Sequence, residues 1–281
     1  MRGRSLYVAL ACFAGAGIWL YSHVAAKLVQ DWATDGNYSH GFLIPPIAAY
    51  LAWERRAQLA ATPLRPANAG LLVVAASLSM LIAGVLGAEH FVARVSMIGV
   101  LTGTIVFAFG WAHLWKLAGP MACLLLMIPL PAIVFNQIAF PLQLFASHFG
   151  SGMLSAAGIP VLREGNVIVL ANTSLEVAEA CSGIRSLVSL VTVGVMLGYF
   201  GSSSAWIRAL ITLSTVPVAV LTNGMRIAGT GIAAHYYGPS AAEGFFHTFS
   251  GWLVFLVAVV MVWMFQRICQ RFEPVLHAVP A

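Results

Sequence analysis

Residues 69–86 read Ala69-Gly-Leu-Leu-Val-Val-Ala-Ala-Ser-Leu-Ser-Met-Leu-Ile-Ala-Gly-Val-Leu86. This stretch contains no charged residue, and it is about as long as a helix that crosses the hydrocarbon core of a bilayer. The whole chain agrees with it, because 60% of its 281 residues are hydrophobic and only 8% are charged. A soluble protein of this size would lack the polar residues to cover its surface. We therefore predict an all-α, polytopic membrane protein.

About eight apolar stretches of this kind follow one another along the chain. They are Leu6–Ala26, Tyr38–Trp53, Ala69–Leu86, Val95–Leu114, Leu117–Phe135, Gly183–Phe200, Trp206–Arg226 and His247–Phe265. The first has no small-residue cleavage site before a polar mature chain, so we expect an anchor and not a removed signal peptide. No repeat or long linker divides the sequence, which predicts a single integral membrane domain over residues 1–281.

Loop charges predict the orientation of the chain, because Lys and Arg accumulate on the cytoplasmic side of a membrane. With the N-terminus inside, nine basic residues face the cytoplasm: Arg2, Arg4, Arg55, Arg56, Arg65, Lys116, Arg208, Arg267 and Arg271. Five basic residues and seven of the nine acidic ones then lie outside, so the net charge of +5 divides into about +7 inside and −2 outside. The basic composition therefore indicates topology and not nucleic-acid binding.

The largest segment between predicted spans runs from Asn136 to Ala180. We predict an interfacial or re-entrant helix over Phe140–Ala157, because prolines at positions 129, 131 and 141 break the chain before it. Residues 166–170 and 174–178 alternate on either side of Asn172, which predicts a short extracytoplasmic hairpin before the sixth span. This hairpin would deliver the chain to Cys181 from the outer surface.

Cys181 stands in Glu179-Ala-Cys-Ser-Gly-Ile-Arg185, at the head of the predicted sixth span. A thiol at a helix N-terminus feels the positive end of the helix dipole, and Arg185 follows one turn later. Both effects favour the thiolate, which is the nucleophilic form. The alternative is a small residue packed at a helix start, with Arg185 extended to the lipid head groups.

Arg226 ends the predicted seventh span after Thr222-Asn-Gly-Met. A cation in such a place is costly unless it is paired or faces a wet cavity, so Arg226 is a candidate functional residue. The alternative is a boundary Arg that anchors the helix to lipid phosphates. The outer side is the less usual one for a basic anchor.

Three histidines are candidates for a general base, because imidazole is best matched to proton transfer near neutral pH. His247 opens the predicted eighth span, His235 lies in the loop before it, and His40 lies at the outer end of the second span. Spacing along the sequence does not rank the three. The sequence has no motif typical of a zinc site, a nucleotide-phosphate loop or a serine nucleophile elbow, so we predict no metal and no cofactor.

Several sequence motifs resemble those of the exosortases and archaeosortases, which are multi-pass membrane cysteine transpeptidases. The resemblance covers nearly the whole chain, and the motifs occur in the same order. The matching segments are Tyr38-Ser-His-Gly-Phe42 with Pro45-Pro46, Pro129-Leu-Pro131, Gly165-Asn-Val-Ile168, Val177–Leu187, Asn223-Gly-Met-Arg226, and His247 with Gly251-Trp252. The resemblance implies that Cys181 is the nucleophile, Arg226 the catalytic cation and His247 the acid and base. It leaves supporting roles for Glu179, Arg185, Asn223 and His40.

The resemblance also implies the partners. They would be membrane-anchored proteins with a C-terminal sorting tail, made of a short Pro-Glu-Pro-like motif, one transmembrane helix and a basic end. It implies a bacterial inner membrane, with both termini cytoplasmic and the site facing the periplasm. Membrane lipids surround the spans, and the oligomeric state stays open. Some members carry a soluble C-terminal domain, and we expect none here because the sequence ends soon after the eighth predicted span.

Two other classes of protein remain as alternatives. A transporter or flippase would scatter its ionisable residues near the bilayer midplane and would often show inverted repeats. Here the ionisable residues gather at one predicted face, and no repeat is evident. A noncatalytic subunit of an exopolysaccharide export complex would tolerate the replacement of Cys181 without consequence.

Overall fold

A computed structural model gives the fold of the chain. It describes the backbone of residues 2–171, 174–176, 184–202, 204–238 and 244–272, and the side chains of residues 15–171, 174–175, 186–202, 204–238 and 249–272. The chain divides into two compact units, Met1–Pro131 and Ala132–Ala281. Helices dominate both units, which confirms the predicted all-α membrane protein.

All the described secondary-structure elements of the first unit are helices. Its elements are α1 (Arg2–Thr34), a 3-10 helix (Ser39–Phe42), α2 (Ile44–Glu54), α3 (Arg56–Ala60), α4 (Ala69–Leu86), α5 (His90–Phe109) and α6 (Trp111–Leu125). Helices α4 and α5 pack closely, because a Cβ atom on Gly70 would lie 2.3 Å from the backbone nitrogen of Phe107. Small residues of this kind let membrane helices approach each other.

A partly buried ion pair joins α1 to α5. The guanidinium of Arg94, which is 3% exposed, contacts the carboxylate of Asp31 beyond the predicted first span. Lys27 pairs with the same carboxylate at 3.2 Å, from a more exposed position. Burial opposes ionisation of Asp31, but the hydrogen bonds from Arg94 and Lys27 outweigh it and hold the pKa of this carboxyl below its usual value of 3.8.

The second unit combines helices with a small sheet. Its elements are α7 (Ala132–Ala156), β1 (Val161–Glu164), β2 (Val167–Leu170), β3 (Ser174–Glu176), α8 (Ile184–Gly201), α9 (Ala205–Tyr237) and α10 (Gly244–Arg271). The sheet is antiparallel in the order β1-β2-β3. Val169 pairs with Ser174, which confirms the predicted hairpin, although Asn172 itself lies outside the described residues. Strand β1 was not predicted, and it joins β2 through Gly165, whose φ angle is +65°.

Helices α8, α9 and α10 pack around a shared apolar cluster. Its buried members are Leu190, Ile211, Ala219, Ala258 and Val262. The amide of Gln266 on α10 donates a 2.7 Å hydrogen bond to the carbonyl of Leu197 near the end of α8. The amide of Gln270, one turn further along α10, donates to the carbonyl of Gly201, which is one of the carbonyls that α8 leaves open in its last turn.

The number of spans differs from the prediction. Four helices in the described part of the chain are long and apolar enough to cross a membrane: Ala69–Leu86, His90–Phe109, Ala205–Tyr237 and Phe249–Arg271. Ser186–Gly201 is a shorter apolar helix. The predicted total of eight spans is therefore not confirmed.

Two of the predicted spans do not form as continuous helices of the expected length. Tyr38–Trp53 is split into the 3-10 helix and α2, and α2 has only 11 residues, or about 16 Å. Leu117–Phe135 is divided between α6, which ends at Leu125, and α7, which begins at Ala132. The residues Pro129 and Pro131 lie in this gap, where they prevent the helix from continuing.

The helix predicted over Phe140–Ala157 also begins earlier than expected. Helix α7 starts at Ala132 and runs through Pro141 without ending. A proline inside a helix removes one backbone hydrogen bond, and neighbouring packing compensates for the loss. Its buried residues continue on both sides of this position, from Phe135 and Ala139 to Gln143 and Ala146.

The ion pair between α1 and α5 yields a stability prediction. We expect Asp31→Asn to lower the free energy of unfolding by about 3 kcal/mol, because it leaves the buried guanidinium of Arg94 without its anionic partner. Lys27→Gln is the matched control and should cost less than about 0.5 kcal/mol, since that ion pair is exposed. Thermal unfolding of the purified protein in detergent measures both.

Because the pKa of Asp31 is lowered in the fold, the contribution of Asp31 to the free energy of unfolding should be complete above pH 3.8 and disappear as the pH falls further.

Candidate active site

Arg226 lies inside α9 and not at its end. The helix continues for eleven residues beyond Arg226, to Tyr237, which adds about 16 Å. The predicted end of the span at Arg226 was therefore wrong as a helix boundary. Tertiary packing explains the extension, because small and apolar residues beyond Arg226 are buried: Ile227, Ala228, Gly231 and Ala234.

The guanidinium of Arg226 lies against helix α10. A Cβ atom on Gly251 would stand 3.1 Å from Cζ and Nη2 of Arg226 and 3.5 Å from Nη1. Asn223, one turn earlier on the same face of α9, is 3% exposed. On the other face, Leu221 and Met225 are 39% and 50% exposed. At this level of α9, Asn223 is thus directed into the protein and the guanidinium of Arg226 lies against α10, while the apolar side chains of Leu221 and Met225 are exposed.

Helix α10 carries position 247 one turn before the glycine that this guanidinium contacts. The backbone of His247 lies in the first turn of α10, and its side chain is outside the described part of the structure. Position 247 is four residues before Gly251, so the two positions share one face of the helix, about one turn apart. The guanidinium of Arg226 therefore contacts α10 on the face that carries position 247.

The packing of α8 on α9 determines which residues of α9 lie beside the start of α8. A Cβ atom on Gly194 would lie 2.3 Å from Cγ2 of Thr215. Four residues later on α8, a Cβ atom on Gly198 would lie 3.2 Å from Cα of Arg208, which precedes Thr215 on α9. The contacts therefore move forward along α8 and backward along α9, so the two helices run antiparallel. Ile184 begins α8 ten residues before Gly194, and Arg226 follows Thr215 by eleven. Because helices rise by about 1.5 Å per residue, the start of α8 lies at the level of Arg226.

The predicted nucleophile lies a few residues before the start of α8 in the sequence. Cys181 precedes the first residue of α8 by three positions, and Glu179 by five. Both residues lie outside the described residues. Arg185 belongs to the first turn of α8, where only its backbone is described. The end of the α8–α9–α10 bundle that carries Arg226 and position 247 is thus also the end at which the Cys181 segment enters α8.

Helix α7 and the sheet pack along the part of α9 that includes Arg226. A Cβ atom on Gly224 would lie 2.1 Å from Cδ1 of Phe149, so the phenyl ring sits directly on this glycine. The hydroxyl of Ser147, which is fully buried, donates a hydrogen bond of 2.8 Å to the carbonyl of Gly165 in the β1–β2 turn. An apolar cluster fills the space between these elements: Ala146, Leu154, Ile159, Ile168, Leu170, Ile227 and Ala234.

The contacts between α7, the sheet and α9 were not predicted. Gln143, Ser147 and Ser151 are all buried on α7. Their spacing of four residues in an apolar helix is the signal that could have indicated a polar, inward-facing stripe, and the sequence analysis did not use it. Among the described residues, no group of three or more His, Cys, Asp or Glu side chains is arranged to hold a metal ion.

The other two candidate histidines have different surroundings. His235 lies in the last turn of α9, nine residues beyond Arg226, which is two and a half turns and therefore the opposite face of the helix. Its ring packs edge-to-face on Tyr236, with centroids 5.0 Å apart. His40 belongs to the first unit, where its Nε2 atom lies 3.2 Å from the carbonyl oxygen of Leu126. A carbonyl only accepts hydrogen bonds, so Nε2 of His40 carries a proton.

Comparison with known proteins gives one match. A sequence profile described as transmembrane exosortase matches residues 32–264, which is more than four-fifths of the chain. The match includes every candidate site residue: His40, Glu179, Cys181, Arg185, Asn223, Arg226, His235 and His247. Comparisons with curated proteins and with solved structures each found no match.

The bond between α7 and the β1–β2 turn yields a second prediction. We expect Ser147→Ala to speed amide hydrogen exchange in β1 and β2 by roughly fivefold, because it removes a hydrogen bond worth about 1 kcal/mol to local stability. Ser151→Ala is the matched control, since the hydroxyl of Ser151 bonds only within α7 among the contacts that the structure shows, to the carbonyl of His148. Equal exchange rates in the two variants would contradict the role of Ser147. Mass spectrometry of the exchanged protein measures the rates.

Proposed function

Because the chain belongs to the transmembrane exosortase family, we propose that it is a membrane-embedded cysteine peptidase or transpeptidase that cleaves the sorting tails of exported proteins. The observation that carries this proposal is the convergence at one end of the α8–α9–α10 bundle. The Arg226 guanidinium, the face of α10 with position 247 and the start of α8 after Cys181 all belong to that end.

We propose the following chemistry for the three residues. The thiolate of Cys181 attacks the carbonyl carbon of the scissile amide, and the carbonyl oxygen takes up the electron pair. The guanidinium of Arg226 stabilises that oxyanion with its fixed positive charge. When the tetrahedral intermediate collapses, the C–N bond breaks and a thioester remains on Cys181.

His247 manages the protons in this proposal. As the imidazolium, it gives a proton to the leaving amine, so the tail departs as a neutral amine. As the neutral base, it then removes a proton from the acceptor that attacks the thioester, and the thiolate is released. An amine acceptor makes the reaction a transpeptidation, and water makes it a proteolysis.

The supporting residues follow from their places on the same elements. Arg185, in the first turn of α8, adds positive charge near the segment that carries Cys181. Asn223 is buried one turn from Arg226 and helps to orient that part of α9. Glu179 lies two residues before Cys181. We also propose a supporting role for His40, which belongs to the first unit.

We place the substrate and the site as follows. The tail helix of a membrane-anchored substrate enters among the spans from the lipid, and its Pro-Glu-Pro-like motif lies at the level of Arg226 on α9. The site faces the periplasm of a bacterial inner membrane, and both termini are cytoplasmic, as the distribution of basic residues predicts. One membrane domain, residues 1–281, carries the activity. No metal, cofactor or nucleic acid takes part.

The direct test is the mass of a processed substrate. A fusion protein that ends in a Pro-Glu-Pro motif, one transmembrane helix and a basic end is co-expressed with the chain and purified. A trimmed mass identifies hydrolysis, and a trimmed mass with an addition identifies the acceptor of a transpeptidation. An intact tail in a membrane that contains the folded chain would overturn the proposal for this class of tail.

The planar guanidinium yields a third prediction. We expect Arg226→Lys to lose at least about 100-fold in processing rate at unchanged membrane abundance, because the ammonium keeps the charge and loses the forked donors. Arg163→Lys on β1 is the matched control and should process normally. Near-normal processing by Arg226→Lys would indicate that Arg226 serves only as a lipid anchor. Immunoblots of tailed and processed substrate over time measure the rate.

The pair of nucleophile and base yields a fourth prediction. Cys181→Ala and His247→Ala should each abolish cleavage, and the double variant should add little further loss, because residues that act as a unit are strongly non-additive. His235→Ala should retain activity, since His235 faces away from Arg226 on α9. If His40→Ala stops cleavage while His247→Ala does not, the assignment of the base is wrong. The fraction of full-length substrate in the membrane is the measurement.

A further inference from the structure

Gly251 occupies an unusual place for a glycine. It lies inside α10, which runs from Gly244 to Arg271. A glycine inside a helix destabilises it relative to alanine, because glycine loses more conformational freedom on folding. A glycine at this position therefore needs a reason in the structure.

The nearest atoms give that reason. The three described atoms nearest to a Cβ on Gly251 all belong to the guanidinium of Arg226, at 3.1, 3.1 and 3.5 Å. A point beside the edge of a guanidinium would be clearly nearer to its nitrogens than to Cζ. This point is as near to Cζ as to Nη2, so it lies above the plane of the group. The guanidinium of Arg226 thus lies with its face on the backbone of α10.

Gly70, which serves the packing of α4 on α5, has different neighbours. A Cβ atom on Gly70 would meet the backbone of Phe107 and Gly103, and so would separate two whole helices. A Cβ atom on Gly251 would meet the end of one flexible side chain. The absence of a Cβ atom at Gly251 is thus needed for the position of a guanidinium and not for the approach of two helix backbones.

We propose that Gly251 is a positioning residue for Arg226. Its missing side chain sets the plane of the guanidinium parallel to the surface of α10, at about one turn from position 247. The N–H donors of a guanidinium lie in its plane, so this orientation directs them along the helix surface and not into α10. The contact stands on geometry alone, and its catalytic consequence rests on the function proposed above.

The first test is a thermodynamic cycle that needs no activity. Gly229→Ala is the control on α9, because a Cβ atom there meets nothing within 4 Å. It should raise the melting temperature of the purified full chain through helix propensity. Gly251→Ala should raise it less, because the methyl group displaces the guanidinium. In the Arg226→Ala background, Gly251→Ala should regain the full increase that Gly229→Ala shows. An equal effect of Gly251→Ala in both backgrounds would overturn the contact and the proposal.

The second test separates positioning from folding. The probe is the purified fusion protein with a Pro-Glu-Pro motif, one transmembrane helix and a basic end, reconstituted with the enzyme in liposomes. We expect Gly251→Ala to lower kcat roughly tenfold with KM unchanged, since a displaced donor weakens an interaction made in the transition state. Gly251→Leu should lower it on the order of 100-fold, and Gly229→Ala should leave it unchanged.

A further pair of variants tests the shape of the group. In the Arg226→Lys background, Gly251→Ala should cause little additional loss, because the compact ammonium has no plane to displace. A full tenfold additional loss there would contradict the proposal. If the wild-type chain does not cleave the fusion protein, the proposed function fails for this tail, and the melting-temperature cycle alone decides whether Gly251 positions Arg226. Coupling in that cycle supports the positioning role, and a zero coupling refutes it.

Discussion

The close approach of α8 to α9 at Gly194 is the contact on which the arrangement of the candidate site depends. A Cβ atom at this position would come within 2.3 Å of a methyl carbon of Thr215, which is fully buried, so only glycine permits this separation. Because both helices rise equally per residue, this contact fixes which residues stand at the same level. A slip of one turn would move the start of α8 by about 5 Å from the level of Arg226.

The charge of Arg226 imposes a second constraint on the same helix. A guanidinium in an apolar bundle must be solvated by polar groups or water, and the faces of α9 divide accordingly. Asn223 is buried beside it, whereas Leu221 and Met225 are exposed. This is the reverse of the pattern in a soluble helix, whose polar face is the exposed one. The surroundings of α9 are therefore apolar, and its polar groups depend on the protein interior.

Hydropathy predicted those elements that lie within apolar runs with clear ends. It placed α4 at Ala69–Leu86, and it placed the start of α8 within one residue. It ended α9 at Arg226, because charge is a signal of the membrane boundary, yet the helix continues through residues buried by α7 and the sheet. That burial is a tertiary effect, and a single sequence does not show it. For the same reason β1 was missed, since it forms only by pairing with β2.

The extension of α9 beyond Arg226 changes how a reaction at this level would be supported. The extension, the end of α7 and the three strands share one apolar cluster, which includes Leu154, Ile168 and Ala234, all fully buried. A donor carried on packed helices keeps its geometry better than one on a loop, because its neighbours restrict its motion. A packed apolar wall also excludes water, which strengthens the interaction of a fixed charge with a developing anion. The same packing that hid the helix end from hydropathy would thus hold Arg226 in place for the role proposed for it.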